Sequence, residues 1–168
     1  MSPASRKIEV GANIAIILVA IILGFVLVKK FVFTDDTGPG APKQPQVGAK
    51  VFIPGADFSS NDKNLILALK KGCKYCSESA GFYQKLAAAA NEKNVRLMAV
   101  FPHSVEEGQG YLKELNVPVT ESKEADFMAL NVGGTPTIIL ANSSGDVVRA
   151  WMGKLNPEQE TEVLNSIQ

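Results

Sequence analysis

A stretch of 19 consecutive residues without a charge, 10–28 (VGANIAIILVAIILGFVLV), constrains this chain more than any other feature. As a helix at about 1.5 Å per residue it would be ~28 Å long, close to the ~30 Å hydrocarbon core of a bilayer. A helix packed in a globular domain normally shows a polar stripe, and here Asn13 is the only strongly polar residue. A cleavable signal peptide has a shorter apolar region, about 7–15 residues, ending at a small-x-small site. This run instead meets Lys29-Lys30 and then Phe31-Val32-Phe33. The expectation is an uncleaved single-span anchor over 10–28 behind a short flank, 1–9. Arg6 and Lys7 on one side match Lys29 and Lys30 on the other. The basic excess that marks the cytoplasmic side is therefore a tie.

After the span, 34–46 reads TDDTGPGAPKQPQ, where Pro, Gly and polar residues replace the apolar ones. Together with the basic pair this makes 29–46 a flexible tether without a core of its own. The remainder, 47–168, has the length of one ordinary domain. The whole chain of 168 residues carries 17 basic and 17 acidic side chains. Zero net charge argues against a nucleic-acid binder, which needs a basic excess to neutralise phosphates. Two cysteines and one histidine fall short of the four ligands of a structural Cys/His zinc site, so no metal is expected. Two cysteines also cannot make a multi-disulfide scaffold.

Within the domain the pattern alternates. The apolar run at 64–69 (NLILAL) suits a strand buried on both faces. Cys76, Ala80, Tyr83, Ala87 and Ala90 then recur at helical spacing, one face of a helix running to about Asn91. A second strand follows at 95–101 (VRLMAVF), and Ser104-Val105-Glu106-Glu107 has the spacing of a capping box opening a helix with Tyr111, Leu112 and Leu115. Thr120 is placed to cap a further short helix holding Phe127, Met128 and Leu130. Two strands, 137–141 and 146–152, flank the turn Asn142-Ser143-Ser144-Gly145. Asn156-Pro157-Glu158-Gln159 caps a terminal helix with Val163, Leu164 and Ile167 inward. The order β-α-β-α, short helix, β-β-α predicts an α/β domain with a mixed sheet between helices.

The chemistry lies in Gly72-Cys73-Lys74-Tyr75-Cys76, two thiols three residues apart at a strand-to-helix junction. Cys73 at the helix start would have free backbone N–H groups beside it, which stabilise a thiolate. Cys76, one turn further in, would be shielded beneath it. The pair then reads as an exposed attacking thiol and a buried resolving thiol. Lys70, Lys71 and Lys74 add positive charge, which lowers a thiol pKa except where solvent screens it. A static disulfide is the alternative, but so short a ring restricts the unfolded chain little. Half of a metal site would need a second chain.

These cysteines after an apolar strand, with Gly134-Thr135-Pro136-Thr137 before a two-strand hairpin, resemble the thioredoxin superfamily from Val47 to the C-terminus. Val47-Gly48-Ala49-Lys50 and the tethered layout are most similar to its membrane-anchored TlpA-like branch. The resemblance implies a thioredoxin-like mixed sheet behind one transmembrane helix. It also implies catalytic Cys73 and Cys76, no cofactor beyond their redox-active disulfide, and a cis Pro136 beside that pair. The backbone of Thr135 would bind substrate like an added strand. Lys74 and Tyr75, inside the motif, would tune potential and partner choice. The implied activity is exchange with protein thiols or disulfides outside the cytoplasm, most often as a reductase fed by a transmembrane electron donor. The implied location is the bacterial cytoplasmic membrane, with the domain facing the periplasm or cell exterior. The alternatives are an inert thioredoxin-fold binding or chaperone-like module, and a thiol peroxidase.

Two departures stand out. Gly72 precedes the first cysteine where many relatives have an aromatic residue. Leu67 stands six residues before Cys73, and 64–69 holds no carboxylate to take a proton from the inner thiol. His103 could pair with a cysteine, but a loop position favours a surface histidine. Trp151 reads as packing on the hairpin.

Overall fold

The computed structural model describes residues 43–119 and 121–168. The anchor read at 10–28, most of the tether and Thr120 lie outside them. Among the described residues no helix is long and apolar enough to cross a membrane. The chain runs β1 (Lys63–Ala68), α1 (Lys74–Glu78), α2 (Ala80–Glu92), β2 (Arg96–Phe101), α3 (Val105–Glu114), β3 (Glu121–Glu124), β4 (Thr137–Asn142), β5 (Val147–Met152) and α4 (Pro157–Ser166). The five strands form one sheet in the order β3-β2-β1-β4-β5. β1, β2 and β3 run parallel, while β4 is antiparallel to β1 and to β5. This is the mixed sheet expected.

The apolar run of β1 is buried from Asn64 to Ala68, as a strand covered on both faces requires. Its side chains alternate between two cores. Leu65, Leu67, Ala99, Phe101, Ile138, Leu140 and Trp151 face the helices, meeting Phe82, Leu86, Tyr111, Leu112, Val163 and Ile167. Ile66, Ala68, Met98, Val100, Ile139 and Ala141 face the other way. There the cover comes from irregular chain, including Val51, Ile53, Ala125, Leu130 and Val132. The last residues read as tether belong with this cover. Gly133 donates its N–H to the Lys43 carbonyl at 2.7 Å, the Gln44 side chain donates to the Ala150 carbonyl at 2.7 Å, and Pro45 is buried.

Two expectations need correction. The short helix holding Phe127, Met128 and Leu130 is not formed. Glu121–Glu124 (ESKE) is instead a strand parallel to β2, followed by turns over 127–131. No apolar alternation announces it, because partners on other segments hold it. Arg96 on β2 grips the Glu121 carboxylate with two N–H donors at 2.8 and 2.6 Å, and Lys123 donates to the Gly55 carbonyl at 2.9 Å. Leu130 is buried, yet Met128 is 79% exposed. The second correction concerns the helix expected from Cys76 to Asn91, which is broken at Ser79 (φ −94°, ψ 4°). Ser77, Ser79 and Gly81 are weak helix formers clustered at the break. The apolar face survives it, with Cys76, Tyr83, Ala87 and Ala90 all buried.

The terminal cap forms as read, whereas the box at Ser104 forms only by half, the Glu107 carboxylate facing Lys71 instead. Ser104 accepts from the Glu107 N–H at 3.3 Å, and Asn156 and Gln159 make a reciprocal capping box with Pro157 in the first turn. On α3, Gly108 lies against the buried Phe101 ring, where an added Cβ would stand 2.6 Å from Cε2 and 2.7 Å from Cγ. Overpacking of this kind costs about 1–3 kcal/mol. Gly108→Ala should therefore lower the unfolding free energy by that amount, read as a lower urea midpoint at unchanged slope, while Gly110→Ala, whose Cβ meets nothing within 4 Å, should not.

Candidate functional site

The register of the sheet brings the two sequence motifs together. Ala68, the last residue of β1, pairs with Thr137, the first of β4. The segment leaving β1 and the segment entering β4 are thus neighbours. The chain turns after β1, with Cys73 N–H donating to the Lys70 carbonyl at 3.2 Å and Gly72 at φ +76°. A Cβ at Gly72 would meet nothing within 4 Å. Glycine is favoured there by backbone conformation rather than space, which accounts for the missing aromatic residue.

Cys73 is the N-cap of α1, and its Sγ accepts from the Cys76 N–H at 3.2 Å. Across the junction its thiol donates to the Thr135 carbonyl at 3.3 Å, and the Thr135–Pro136 bond is cis. The thiols are free, Cys73 half-buried and Cys76 0% exposed. Their acidities diverge. Burial pushes Cys73 up, but the Cys76 thiol, the Thr135 side chain and the N–H groups of Cys76 and Tyr75 outweigh it and hold Cys73 below the ordinary thiol range. Burial pushes Cys76 up to about 12, and the neighbouring Cys73 adds to the rise. An attacking thiol needs the first environment, and a thiol kept protonated until called on needs the second.

The other expected residues take varied places. Lys74 and Tyr75 are exposed on α1, with the Lys74 ammonium 3.8 Å from Glu78. Lys154 reaches the same carboxylate at 2.8 Å, and Lys71 lies 3.5 Å from Glu107. Lys71 and Lys74 thus face carboxylates as well as solvent. Among the described residues no group of three or more His, Cys, Asp or Glu is placed to hold a metal ion.

Sequence reasoning missed two contributors, His103 and Tyr111. His103 is more than a surface side chain. Its Nε2 accepts the Lys71 N–H at 3.3 Å, bracing the turn that carries Cys73, and its ring lies 5.3 Å from that of Phe101. The signal was available, since a parallel β1–β2 pair sets the loops after both strands side by side. Tyr111 on α3 sits 3.1 Å from the Ser77 hydroxyl and donates to the Cys73 carbonyl at 3.5 Å. Ser79 and Tyr83 bury their hydroxyls.

No protein-family model matches the sequence. No curated protein matches it either. Solved structures do. The thioredoxin domain of a thiol-disulfide oxidoreductase from Bacteroides vulgatus matches 73% of this chain and 96% of its own, at 16% identity and a TM-score of 0.55. A thiol-disulfide isomerase from Corynebacterium glutamicum matches 76% of this chain and 96% of its own, at 15% identity and a TM-score of 0.53. A thiol:disulfide interchange protein from Bacteroides sp. matches 66% of this chain and 76% of its own, at 18% identity and a TM-score of 0.54. These likenesses bear out the resemblance read in the sequence at the level of the fold. The domain is a thioredoxin fold.

Alkylation tests the divergence of the two thiols. Iodoacetamide added to the reduced protein at pH 7 should modify Cys73 at least about tenfold faster than Cys76, because the thiolate is the nucleophile. Peptide mapping that finds Cys76 labelled first would reverse the assignment.

Proposed function

We propose that this protein is a membrane-anchored thiol-disulfide oxidoreductase that exchanges its Cys73/Cys76 pair with protein thiols or disulfides outside the cytoplasm, in the reducing direction. The observation that carries the reading is the asymmetry of the pair. Cys73 is reachable, held at a helix start and lowered, while Cys76 lies directly beneath it, buried and raised. The names of the structural neighbours, among them a thiol-disulfide oxidoreductase and a thiol:disulfide interchange protein, point the same way.

The Cys73 thiolate attacks one sulfur of a substrate disulfide, forming a mixed disulfide and releasing the first substrate thiol. Cys76 then attacks Cys73 Sγ, forming the internal disulfide and releasing the second. Two electrons pass to the substrate, and a dithiol donor, proposed to be a transmembrane protein, returns them. Thr135 and Pro136, next to Cys73, are the proposed docking strand, Thr135 pairing with an extended substrate segment. Lys74 and Tyr75, exposed beside the thiols, are the proposed determinants of potential and partner. The reducing direction comes from the resemblance to TlpA-like proteins, most of which reduce their targets. The run at 10–28 supplies the proposed single-pass anchor in a bacterial cytoplasmic membrane, with the domain on the periplasmic or external side.

Trapping tests the mechanism. Cys76→Ala, expressed in its own membrane, should accumulate reducible adducts that vanish in Cys73→Ala/Cys76→Ala. If the wild type cycles in vitro but Cys76→Ala captures nothing, exchange through a mixed disulfide is wrong. Equilibration with glutathione or dithiothreitol tests direction. A potential near about −270 mV is expected, whereas one near about −120 mV makes the protein an oxidant. A pair that never cycles makes it an inert binding module.

A further inference from the structure

Both thiols sit on a helical turn that has little of its own to hold it. α1 is five residues long, and a helix of that length is not stable alone in water. Of its residues only Cys76 is buried, while Lys74, Tyr75, Ser77 and Glu78 are exposed. The break at Ser79 separates it from α2. Among the described residues two side chains from other elements tie it by polar contacts. One is Lys154, paired with Glu78 at 2.8 Å in an exposed ion pair of the kind that contributes little. The other is Tyr111 on α3. This residue is 4% exposed, and its phenol comes to 3.1 Å from the Ser77 hydroxyl and 3.5 Å from the Cys73 carbonyl oxygen.

The three oxygens close a triangle, because the Ser77 hydroxyl also lies 3.4 Å from the Cys73 carbonyl. Two hydroxyl protons serve its three edges, and the Ser77 N–H donates to the same carbonyl at 3.2 Å. The groups gripped in this way bracket the redox turn. Cys73 opens it, and Ser77 directly follows Cys76. Holding both against α3 restrains the separation of the two sulfurs, with the Cys76 N–H already 3.2 Å from Cys73 Sγ. Burial pushes the Tyr111 phenol up, Ser77 pulls it the other way, and the charges of Cys76, Cys73 and Glu114 add to the rise. The phenol therefore keeps its proton at neutral pH and remains a donor.

We propose that Tyr111 is a positioning residue that sets the redox potential of the pair, by holding the reduced turn in the shape from which its disulfide closes. This inference rests on the exchange reading above. In closing, Cys73 and Cys76 give up two protons and two electrons and form one S–S bond. The substrate disulfide breaks and takes them up as two thiols. Closing also carries the entropic cost of ordering the turn. The finished S–S bond holds the turn by itself, whereas the dithiol depends on the phenol. Without the phenol the dithiol form gains freedom and the disulfide form does not, so closing becomes harder and the pair less reducing. Tyr111 acts through Cys73 and Ser77 and exchanges no proton with either sulfur.

Equilibration of the full-length protein in detergent with mixtures of reduced and oxidised glutathione measures the effect directly. In Tyr111→Phe, which deletes only the hydroxyl, the equilibrium constant for closing the disulfide should fall about fivefold, the net contribution of one hydrogen bond. That corresponds to about 20 mV toward the oxidising side. Ser77→Ala should move the constant in the same direction, and carries the test if Tyr111→Phe does not fold. A merely structural role destabilises the dithiol and disulfide forms alike and leaves the constant where it was. An unchanged or larger constant in variants of a wild type that equilibrates normally would overturn the positioning role alone. A wild type that never equilibrates with glutathione overturns the exchange reading and the positioning role together.

Discussion

The antiparallel seam between β1 and β4 determines where everything else in the site can be. Lys63 pairs with Asn142 and Ala68 with Thr137, so the cysteine turn leaves the sheet where the segment holding Thr135 and Pro136 enters it. A slip of one residue would send every inward side chain of β4 to the opposite face. Ile138 and Leu140 point to the helices while Ile139 and Ala141 point away, and the two cores hold the register from both sides. The contact between Cys73 and the Thr135 carbonyl is thus fixed by hydrophobic packing rather than by its own modest strength.

On that frame the two thiols differ because of a single helical turn. At the cap, Cys73 meets backbone N–H groups that no helical carbonyl has claimed. Three residues on, Cys76 has been carried into a core of Leu, Phe and Tyr side chains. The Gly72 turn, the His103 bracket on the Lys71 N–H and the Tyr111 bond to the Cys73 carbonyl all act on position. None of them needs to carry charge to the sulfur.

How legible this was in the sequence depended on where the stabilising partners lie. β1, the hairpin and α4 could be read locally, since their apolar runs, turn residues and capping box lie within a few residues of one another. β3 could not, because ESKE has no apolar alternation and is held by Arg96 and Gly55 on other segments. Propensity alone hinted at the break at Ser79, while the apolar spacing ran straight through it. Cys73, Cys76, Thr135 and Pro136 were singled out by motif, and the structure places them together. The bracing role of His103 needed the strand order first, because the histidine is 32 residues from its partner in sequence.

The charged β3 and the chain entering the domain have a joint consequence for the rims of the sheet. β3 is four residues of glutamate, serine and lysine. At the opposite rim, Gly48 and Ala49 exchange backbone hydrogen bonds with Val147, and Val51 bonds to Gly145. Long, flat, apolar rims are templates on which proteins polymerise strand to strand, and short charged or covered ones resist it. A domain finished in this way can be crowded to high density while its copies remain separate.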